Sequence, residues 1–184
     1  MKIVLFEGID KVGKTTTIEK LKKELSSFGF KVLKLNLPYT IDYEDIDNKN
    51  STFRLKMSIK NLMTMYDEYD ENYICLIDRL HISEKVYGKL LRDKFDRTTF
   101  YYSDYYLSEM RVKLIYFVPN DVHGNYEKFK DEKGLIDGLT EEQYIDTYEM
   151  FNETIVKTKI KDILTLKTCE IDTKRIIEFL GGKL

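Results

Sequence analysis

The segment Gly8-Ile9-Asp10-Lys11-Val12-Gly13-Lys14-Thr15 matches the pattern G-x-x-x-x-G-K-[ST] at every fixed position. It follows the apolar run Ile3–Phe6 and precedes apolar residues at helical spacing, beginning with Ile18 and Leu21. A strand, a glycine-rich turn and a helix in this order are the context that a phosphate-binding loop requires. We therefore predict that residues 8–15 form such a loop, called the P-loop below, within an α/β fold.

The residue types in this segment suit the binding of a nucleoside triphosphate. Gly8 and Gly13 allow backbone conformations in which amide groups point at phosphate oxygens, and the following helix adds its positive end. Lys14 would reach the β- and γ-phosphates, and the Thr15 hydroxyl would ligate Mg²⁺. The predicted ATP phosphate site comprises Gly8, Val12, Gly13, Lys14, Thr15 and Thr16.

Strand-like apolar runs alternate with helical patterns along the chain. The runs lie at Ile3–Phe6, Lys31–Leu35, Tyr73–Ile77, Val112–Val118 and, more weakly, Ile163–Ile171. The helical patterns lie at Ile18–Phe28, Phe53–Tyr69 and Ile82–Leu91, after a capping box at Thr140, and at Ile176–Leu180. The runs do not alternate with polar residues, which is typical of strands buried on both faces of a parallel sheet. We predict one domain over residues 1–184, an α/β three-layer sandwich with a five-stranded parallel sheet.

Composition limits the partners of this domain. The 184 residues carry 30 Lys and Arg against 32 Asp and Glu, a formal net charge of −2. A protein that binds nucleic acid polymers usually has a clear basic excess, so we expect no nucleic acid polymer as a partner. No apolar run approaches the about 20 residues that a membrane span needs. We expect a cytoplasmic protein with no membrane partner, and we expect both thiols, Cys75 and Cys169, to be buried.

Residues Pro119–Leu139 fit neither a strand nor a helix pattern. The segment is polar and contains Gly124, Gly134 and Gly138. A loop of this length inside a compact domain is usually functional or mobile. We therefore predict a lid-like segment at about residues 120–139 that closes over the phosphates.

The remaining question at this stage is what accepts the phosphoryl group. The chain is too short for the additional domains of a helicase, and it lacks the Asn-Lys-x-Asp motif by which a GTPase would recognise guanine. Among P-loop proteins, a small-molecule kinase therefore fits best.

Two motifs resemble those of thymidylate kinases. The run Phe6-Glu7-Gly8-Ile9-Asp10-Lys11-Val12-Gly13-Lys14-Thr15-Thr16 is similar to the family's phosphate loop. Asp78-Arg79-Leu80-His81-Ile82-Ser83-Glu84-Lys85-Val86-Tyr87 resembles its second motif, Asp-Arg-[Tyr/Phe]-x-x-Ser-x-x-x-Tyr. The resemblance implies a sheet of the P-loop nucleoside and nucleotide kinase type. It also implies a deoxynucleoside monophosphate kinase that uses ATP with Mg²⁺ and that can form a homodimer.

The resemblance also implies roles for individual residues. Arg79 would pair with the acceptor phosphate, and Tyr87 would lie beneath the sugar and favour deoxyribose. The implied catalytic residues are Lys14, Arg79, Lys11 and Asp10, and the implied metal site consists of Thr15 and Asp78. The implied acceptor-binding residues are Asp10, Pro38, Phe53, Arg54, Arg79, Ser83 and Tyr87. We expect His81 to lie at the surface, at the N-terminus of a helix.

The sequence departs from the family pattern mainly around the acceptor. Asn36 stands where the family usually has an arginine that contacts the acceptor phosphate, so Arg54 would take over that task. Phe53 would be the ring nearest to the base, with Tyr66 as a rival. Glu84 replaces a residue that is an amide in many members, and a carboxylate only accepts hydrogen bonds, so the base need not be thymine.

The lid-like segment departs as well, because it contains no arginine. Its cations are Lys128, Lys130 and Lys133, one of which would close over the phosphates.

Two other functions remain open. A deoxynucleoside kinase would need a carboxylate as general base, for which Glu7, Asp42 and Glu44 are candidates. A regulatory protein that hydrolyses ATP slowly would leave the acceptor residues without a use. The aromatic run Phe100–Tyr106 fits either a partner surface or local packing.

Overall fold

The apolar runs of the sequence form one parallel sheet. The structure is a computed structural model and describes residues 1–35, 48–92, 96–132 and 138–181. Its strands are β1 (Lys2–Glu7), β2 (Lys31–Leu35), β3 (Tyr73–Asp78), β4 (Lys113–Val118) and β5 (Ile163–Lys167). The order in the sheet is β2-β3-β1-β4-β5, and all neighbouring pairs are parallel. The prediction of a five-stranded parallel sheet is therefore confirmed.

Helices cover both faces of this sheet. They are α1 (Lys14–Ser27), α2 (Asn48–Glu68), α3 (His81–Arg92), α4 (Arg97–Glu109), α5 (Val122–Phe129), α6 (Glu141–Lys157) and α7 (Thr173–Phe179). Helix α1 packs against β2, β3 and α7. In a second group of helices, α4 packs against α2 and α3, and α3 also packs against α6. The central strands β1, β3 and β4 each contain at least four consecutive buried residues. Consecutive burial requires cover on both faces, so the domain has three layers.

The helix ends follow local sequence signals. Gly29, with φ at 87°, lies just after the end of α1, and Thr140 forms the predicted capping box with Gln143 at the start of α6. Two helices were not predicted, α4 and α5. Each begins after an aspartate whose side chain accepts a hydrogen bond from a backbone amide, Asp96 from Thr98 and Asp121 from His123.

Several expectations about local structure are wrong. The segment 119–139 is not a continuous loop, because α5 occupies eight of its residues. His81 does begin a helix, but it has no exposed surface. Cys75 is buried as expected, whereas Cys169 lies exposed in a short 3-10 helix, Thr168–Glu170. In the part of the chain that the structure describes, no helix is long and apolar enough to cross a membrane.

Candidate functional site

The site is built where β1 and β3 end side by side. Phe6 of β1 is paired with Asp78 of β3, so the P-loop and the Asp78-Arg79 pair emerge from adjacent strand ends. A Cβ atom at Gly8 would clash with the carbonyl oxygen of Phe117 on β4, and φ at Gly8 is 138°. The close approach of two backbones and the positive φ both require glycine at this position.

The P-loop leads directly into the N-terminus of α1. Gly13, with φ at 85°, precedes α1, and no side chain caps the first amide groups of this helix. Unoccupied amide groups at a helix N-terminus form a site for anions such as phosphate. Within the loop, Val12 is buried, and Thr15 and Thr16 are exposed on the first turn of the helix.

Lys14 is folded back into the loop. Its Nζ donates to the carbonyl oxygen of Gly8 at 3.0 Å and also to that of Ile9, and the residue is only 5% exposed. Burial, and secondarily the charge of Arg79, lowers the pKa of Lys14 to about 7. A cation held in so unfavourable an environment gains stability when an anion enters the loop.

Asp78 and Thr15 provide the oxygen atoms of the predicted metal site. Thr15 Oγ1 donates to Asp78 Oδ2 at 2.9 Å. Asp78 Oδ1 is buried and has no hydrogen-bond partner among the described residues. Mg²⁺ prefers such hard oxygen ligands and is usually bound by one or two protein groups together with water and phosphate oxygens. Among the described residues, no three His, Cys, Asp or Glu side chains are grouped so that they could hold a metal ion.

Arg79 lies beside the P-loop in a left-handed backbone conformation, with φ at 67°. Its NH1 donates to the carbonyl oxygen of Gly8 at 3.0 Å and to Ser83 Oγ at 3.2 Å, and its NH2 pairs with Asp10. Positive φ in a residue other than glycine costs of order 1 kcal/mol or more and is common at functional sites. Of the three such residues in the described part of the chain, Arg79 and Lys11 lie at this site.

Asp10 connects the P-loop to α3 and α6. The hydroxyl of Tyr87 on α3 donates to Asp10 Oδ2 at 3.5 Å, and the Arg79 guanidinium lies 5.1 Å from the centre of the Tyr87 ring. The hydroxyl of Tyr144 on α6 donates to the Asp10 carbonyl oxygen at 3.4 Å and accepts from Asn125 Nδ2 at 2.5 Å. Asp10, Arg79, Ser83 and Tyr87, all expected to contact the acceptor, therefore lie together.

Glu7 lies beneath this group and is fully buried. Its carboxylate accepts hydrogen bonds from the backbone amide of Leu80 at 2.8 Å, from the amide of Ser83 at 3.4 Å and from the hydroxyl of Ser83. Both carboxylate oxygens are thus used to fix the start of α3. Glu7 is a structural anchor for the Arg79 segment and is not accessible to a substrate.

Lys11 contacts the end of the α5 segment. Its Nζ donates to Glu132 Oε2 at 2.7 Å and lies 6.0 Å from the centre of the Phe129 ring. The Lys11 side chain is 29% exposed and the Glu132 side chain 53% exposed. The lid-like segment therefore contacts the P-loop through a carboxylate. Among its lysines, Lys130, just beyond the end of α5, pairs with Glu127 of that helix.

Other predicted site residues are not part of this group. Phe53 and Arg54 are exposed on α2, and among the described residues neither forms a hydrogen bond, ion pair or ring contact with the P-loop. Tyr66, on the same helix, packs against the core. The remaining predicted positions lie outside the described residues: Asn36, Pro38, Asp42, Glu44 and Lys133.

Sequence reasoning missed Tyr144, Asn125 and Glu132. Glu132 and Tyr144 contact the P-loop directly, and Asn125 contacts it through Tyr144. All three lie more than 110 positions away in sequence from the P-loop residues concerned. The capping box at Thr140 predicts that a helix begins there, and Tyr144 lies in the first turns of this helix, α6. This start of α6 is the one signal in the sequence that could have pointed to Tyr144. Nothing in the local sequence indicated its partner.

Comparisons with known proteins identify the fold. No family model matches the chain, and no curated protein does either. Among solved structures, the chain is similar to YorR of Bacillus subtilis, which was crystallised in complex with phosphorylated GDP. The two share 16% sequence identity at a TM-score of 0.67, over 97% of this chain and 93% of YorR. Together with the strand order, this likeness establishes an α/β fold of the P-loop kinase type.

Proposed function

We propose that the protein is a nucleotide kinase of the thymidylate kinase-like type, which transfers the γ-phosphoryl group of ATP to a deoxynucleoside 5′-monophosphate. The observation that carries this proposal is the convergence of two cations on one carbonyl oxygen. Lys14 Nζ and Arg79 NH1 each donate to the Gly8 carbonyl at 3.0 Å, so the two nitrogen atoms lie within twice that distance of each other.

Such a pair suits two phosphate groups that approach each other. Lys14 belongs to the P-loop and would bind the phosphates of ATP. Arg79 comes from the end of the neighbouring strand and presents a planar fork, which matches a second phosphate group on the acceptor. Between them, the two cations would stabilise the negative charge of the phosphoryl group as it passes from donor to acceptor.

The roles of the remaining residues follow from this arrangement. The attacking oxygen of a monophosphate is already ionised, so no general base is required. Asp10 would release Arg79 to the acceptor phosphate and accept a hydrogen bond from the acceptor sugar. Tyr87 would define the floor beneath the sugar. Lys11 would leave Glu132 and add positive charge at the transferring group.

Mg²⁺ would be held by Thr15 and Asp78 and would neutralise charge on the phosphate oxygens of ATP. The unpartnered Asp78 Oδ1 supports this assignment. For the acceptor we retain three proposed contacts: Phe53 to the base, Arg54 to the phosphate, and Pro38. Helix α2 presents Phe53 and Arg54 at an exposed surface.

A deoxynucleoside kinase is the second candidate. It would need a carboxylate to deprotonate a 5′-hydroxyl. Glu7 is not available, because both of its oxygens accept hydrogen bonds within the fold. Asp10 favours this candidate, since its carboxylate lies in the loop next to Arg79 and is partly exposed. Under this function the Arg79 fork would have no acceptor phosphate to bind.

A steady-state panel tests the proposal. The protein would be assayed with ATP and Mg²⁺ against each deoxynucleoside and its 5′-monophosphate. Guanine compounds belong in the panel because YorR was crystallised with a phosphorylated guanine nucleotide. We expect ADP and a nucleoside diphosphate to form with monophosphates alone. Turnover only with nucleosides would replace the proposal by the second candidate, and acceptor-independent loss of ATP would refute both.

A further inference from the structure

A buried histidine–aspartate pair lies next to the site but takes no part in the proposed reaction. His81, the first residue of α3, has no exposed surface, and its Nε2 lies 3.1 Å from Asp104 Oδ1 on α4. The His81 ring also stacks on Phe100, with the ring centres 5.2 Å apart. His81 Nδ1 has no hydrogen-bond partner in the described part of the chain. The interaction with Asp104 is thus the polar contact that fixes this ring.

Asp104 is itself held firmly. Its carboxylate accepts hydrogen bonds from the Thr158 hydroxyl and from the backbone amide of Lys159 at 2.8 Å, both just beyond the end of α6. Burial opposes the charged form, but hydrogen bonds from His81 and Thr158 keep the pKa of Asp104 below its ordinary value. An ionised carboxylate can only accept hydrogen bonds, so His81 Nε2 carries a hydrogen atom and donates a hydrogen bond to Asp104. The pair therefore ties the start of α3 to α4 and to the end of α6.

The position of this tie relative to Arg79 is informative. His81 follows Arg79 by two residues, and Arg79 has the left-handed conformation that directs its guanidinium to the P-loop. Before the turn, the Arg79 amide donates to the Phe6 carbonyl at 3.0 Å, and after it the Leu80 amide donates to Glu7. These bonds fix the backbone on the side of the sheet. On the other side of the turn, the His81–Asp104 contact anchors the start of α3 to the helical layer.

We propose that His81 is a positioning residue that, through Asp104, holds Arg79 in its strained conformation and thereby sets the affinity for the acceptor phosphate. This inference rests on the proposed function only for its last step. The conformation of Arg79 can be measured without any substrate. A strained residue persists only where its surroundings determine it, and the His81–Asp104 pair supplies that constraint on the helical side.

Three variants test the proposal. H81F keeps a ring against Phe100 but cannot donate to Asp104. H81Q retains an amide N–H near the place of Nε2 and serves as the conservative rescue. T173V is the matched control, because it removes a hydrogen bond from a buried hydroxyl, to Glu24 at 2.9 Å, and neither of these residues belongs to the proposed site.

The first measurement is kinetic. In H81F we expect the KM for the monophosphate acceptor to rise about tenfold, the scale of one lost hydrogen bond, while the KM for ATP stays unchanged. H81Q should restore most of the acceptor KM, and T173V should leave it unchanged. Equal rises of both KM values in H81F, or a lower melting temperature with no change in acceptor KM, would overturn the proposal.

The second measurement needs no reaction. The ¹⁵N–¹H signal of the Arg79 Nε group, assigned through R79K, reports the environment of the guanidinium in the substrate-free protein. We expect it to shift or broaden in H81F and to stay in place in H81Q and T173V. An unchanged signal in H81F would overturn the positioning role. If no acceptor is phosphorylated by the wild-type protein, the proposed function fails and this signal alone decides the inference.

Discussion

At the scale of single residues, the protonation of Lys14 determines how strongly the P-loop binds ATP. Burial lowers the pKa of Lys14 to about 7, and its ammonium group donates hydrogen bonds to the backbone carbonyls of Gly8 and Ile9. Phosphate oxygens favour the charged form, so the pKa of Lys14 must rise when ATP binds. Binding above pH 7 therefore takes up a proton.

We expect the dissociation constant for ATP to be independent of pH below about pH 7 and to increase by about tenfold per pH unit above it. The reason is that the free protein must first be protonated on Lys14. Titration calorimetry in two buffers with different ionisation enthalpies measures the uptake, which should approach one proton per ATP at about pH 8.5. The K14M variant should bind weakly and without this pH dependence. Equal proton uptake by K14M would assign the effect to another group.

The substitution G8A tests the shape of the P-loop. A Cβ atom at Gly8 meets the Phe117 carbonyl, whereas one at Gly29, which also has positive φ, meets nothing within 4 Å. We expect G29A to lower the free energy of unfolding by about 1 kcal/mol, and G8A to lower it by more and to abolish ATP binding. Denaturant unfolding and nucleotide titration measure both effects. Equal destabilisation by the two variants would mean that β4 does not restrict the loop.

At the scale of structural elements, the segment from α5 to Glu132 contacts the P-loop through the Lys11–Glu132 pair. This exposed pair neutralises the one P-loop cation that is proposed to move. In E132Q, Lys11 is free before ATP arrives, so we expect the KM for ATP to fall about twofold to threefold, as suits a weak surface pair. The matched control is E127Q, which breaks the Lys130–Glu127 pair on α5. A similar change in E127Q would show a general charge effect instead.

The elements that sequence reasoning found and missed differ in the character of their buried faces. All five strands were found from their apolar runs. Consecutive apolar residues are buried in the central strands β1, β3 and β4, whereas the edge strands β2 and β5 are only partly buried. Helix α4 was missed because its buried face mixes apolar and polar residues: Thr99, Phe100, Ser103, Asp104 and Leu107. Helix α5 was missed because it is only eight residues long and its apolar residues, Val122, Tyr126 and Phe129, are only partly buried against the core. Both carried an aspartate cap that pattern reading overlooked.

At the scale of the whole molecule, the site joins parts of the chain that lie far apart in sequence. Residues next to the two motifs could be predicted, and Asp10, Lys14, Arg79 and Tyr87 do lie together. Tyr144 and Glu132 reach the same loop only through the packing of α6 and α5, which no local pattern encodes. The proposed homodimer, the lid function and the cytoplasmic location stay predictions, of which the first can be tested by sedimentation.

The structure explains why a protein with a net charge of −2 can bind phosphate groups. The cations that the proposed reaction uses are concentrated in one place: Lys14 and Arg79 share a carbonyl oxygen, and Lys11 lies in the same loop. A site for two phosphate groups needs only these few charges. The central claim is therefore that Arg79 binds an acceptor phosphate beside a P-loop that already holds ATP.

The measurement that tests this claim most directly is acceptor-dependent turnover in the R79N variant. Asparagine tolerates positive φ better than alanine, so the variant removes the charge with little added strain. We predict that kcat/KM for the monophosphate falls by about 100-fold to 1000-fold while the dissociation constant for ATP stays unchanged. Full acceptor-dependent turnover by R79N, or an equal loss of ATP binding, would contradict the account.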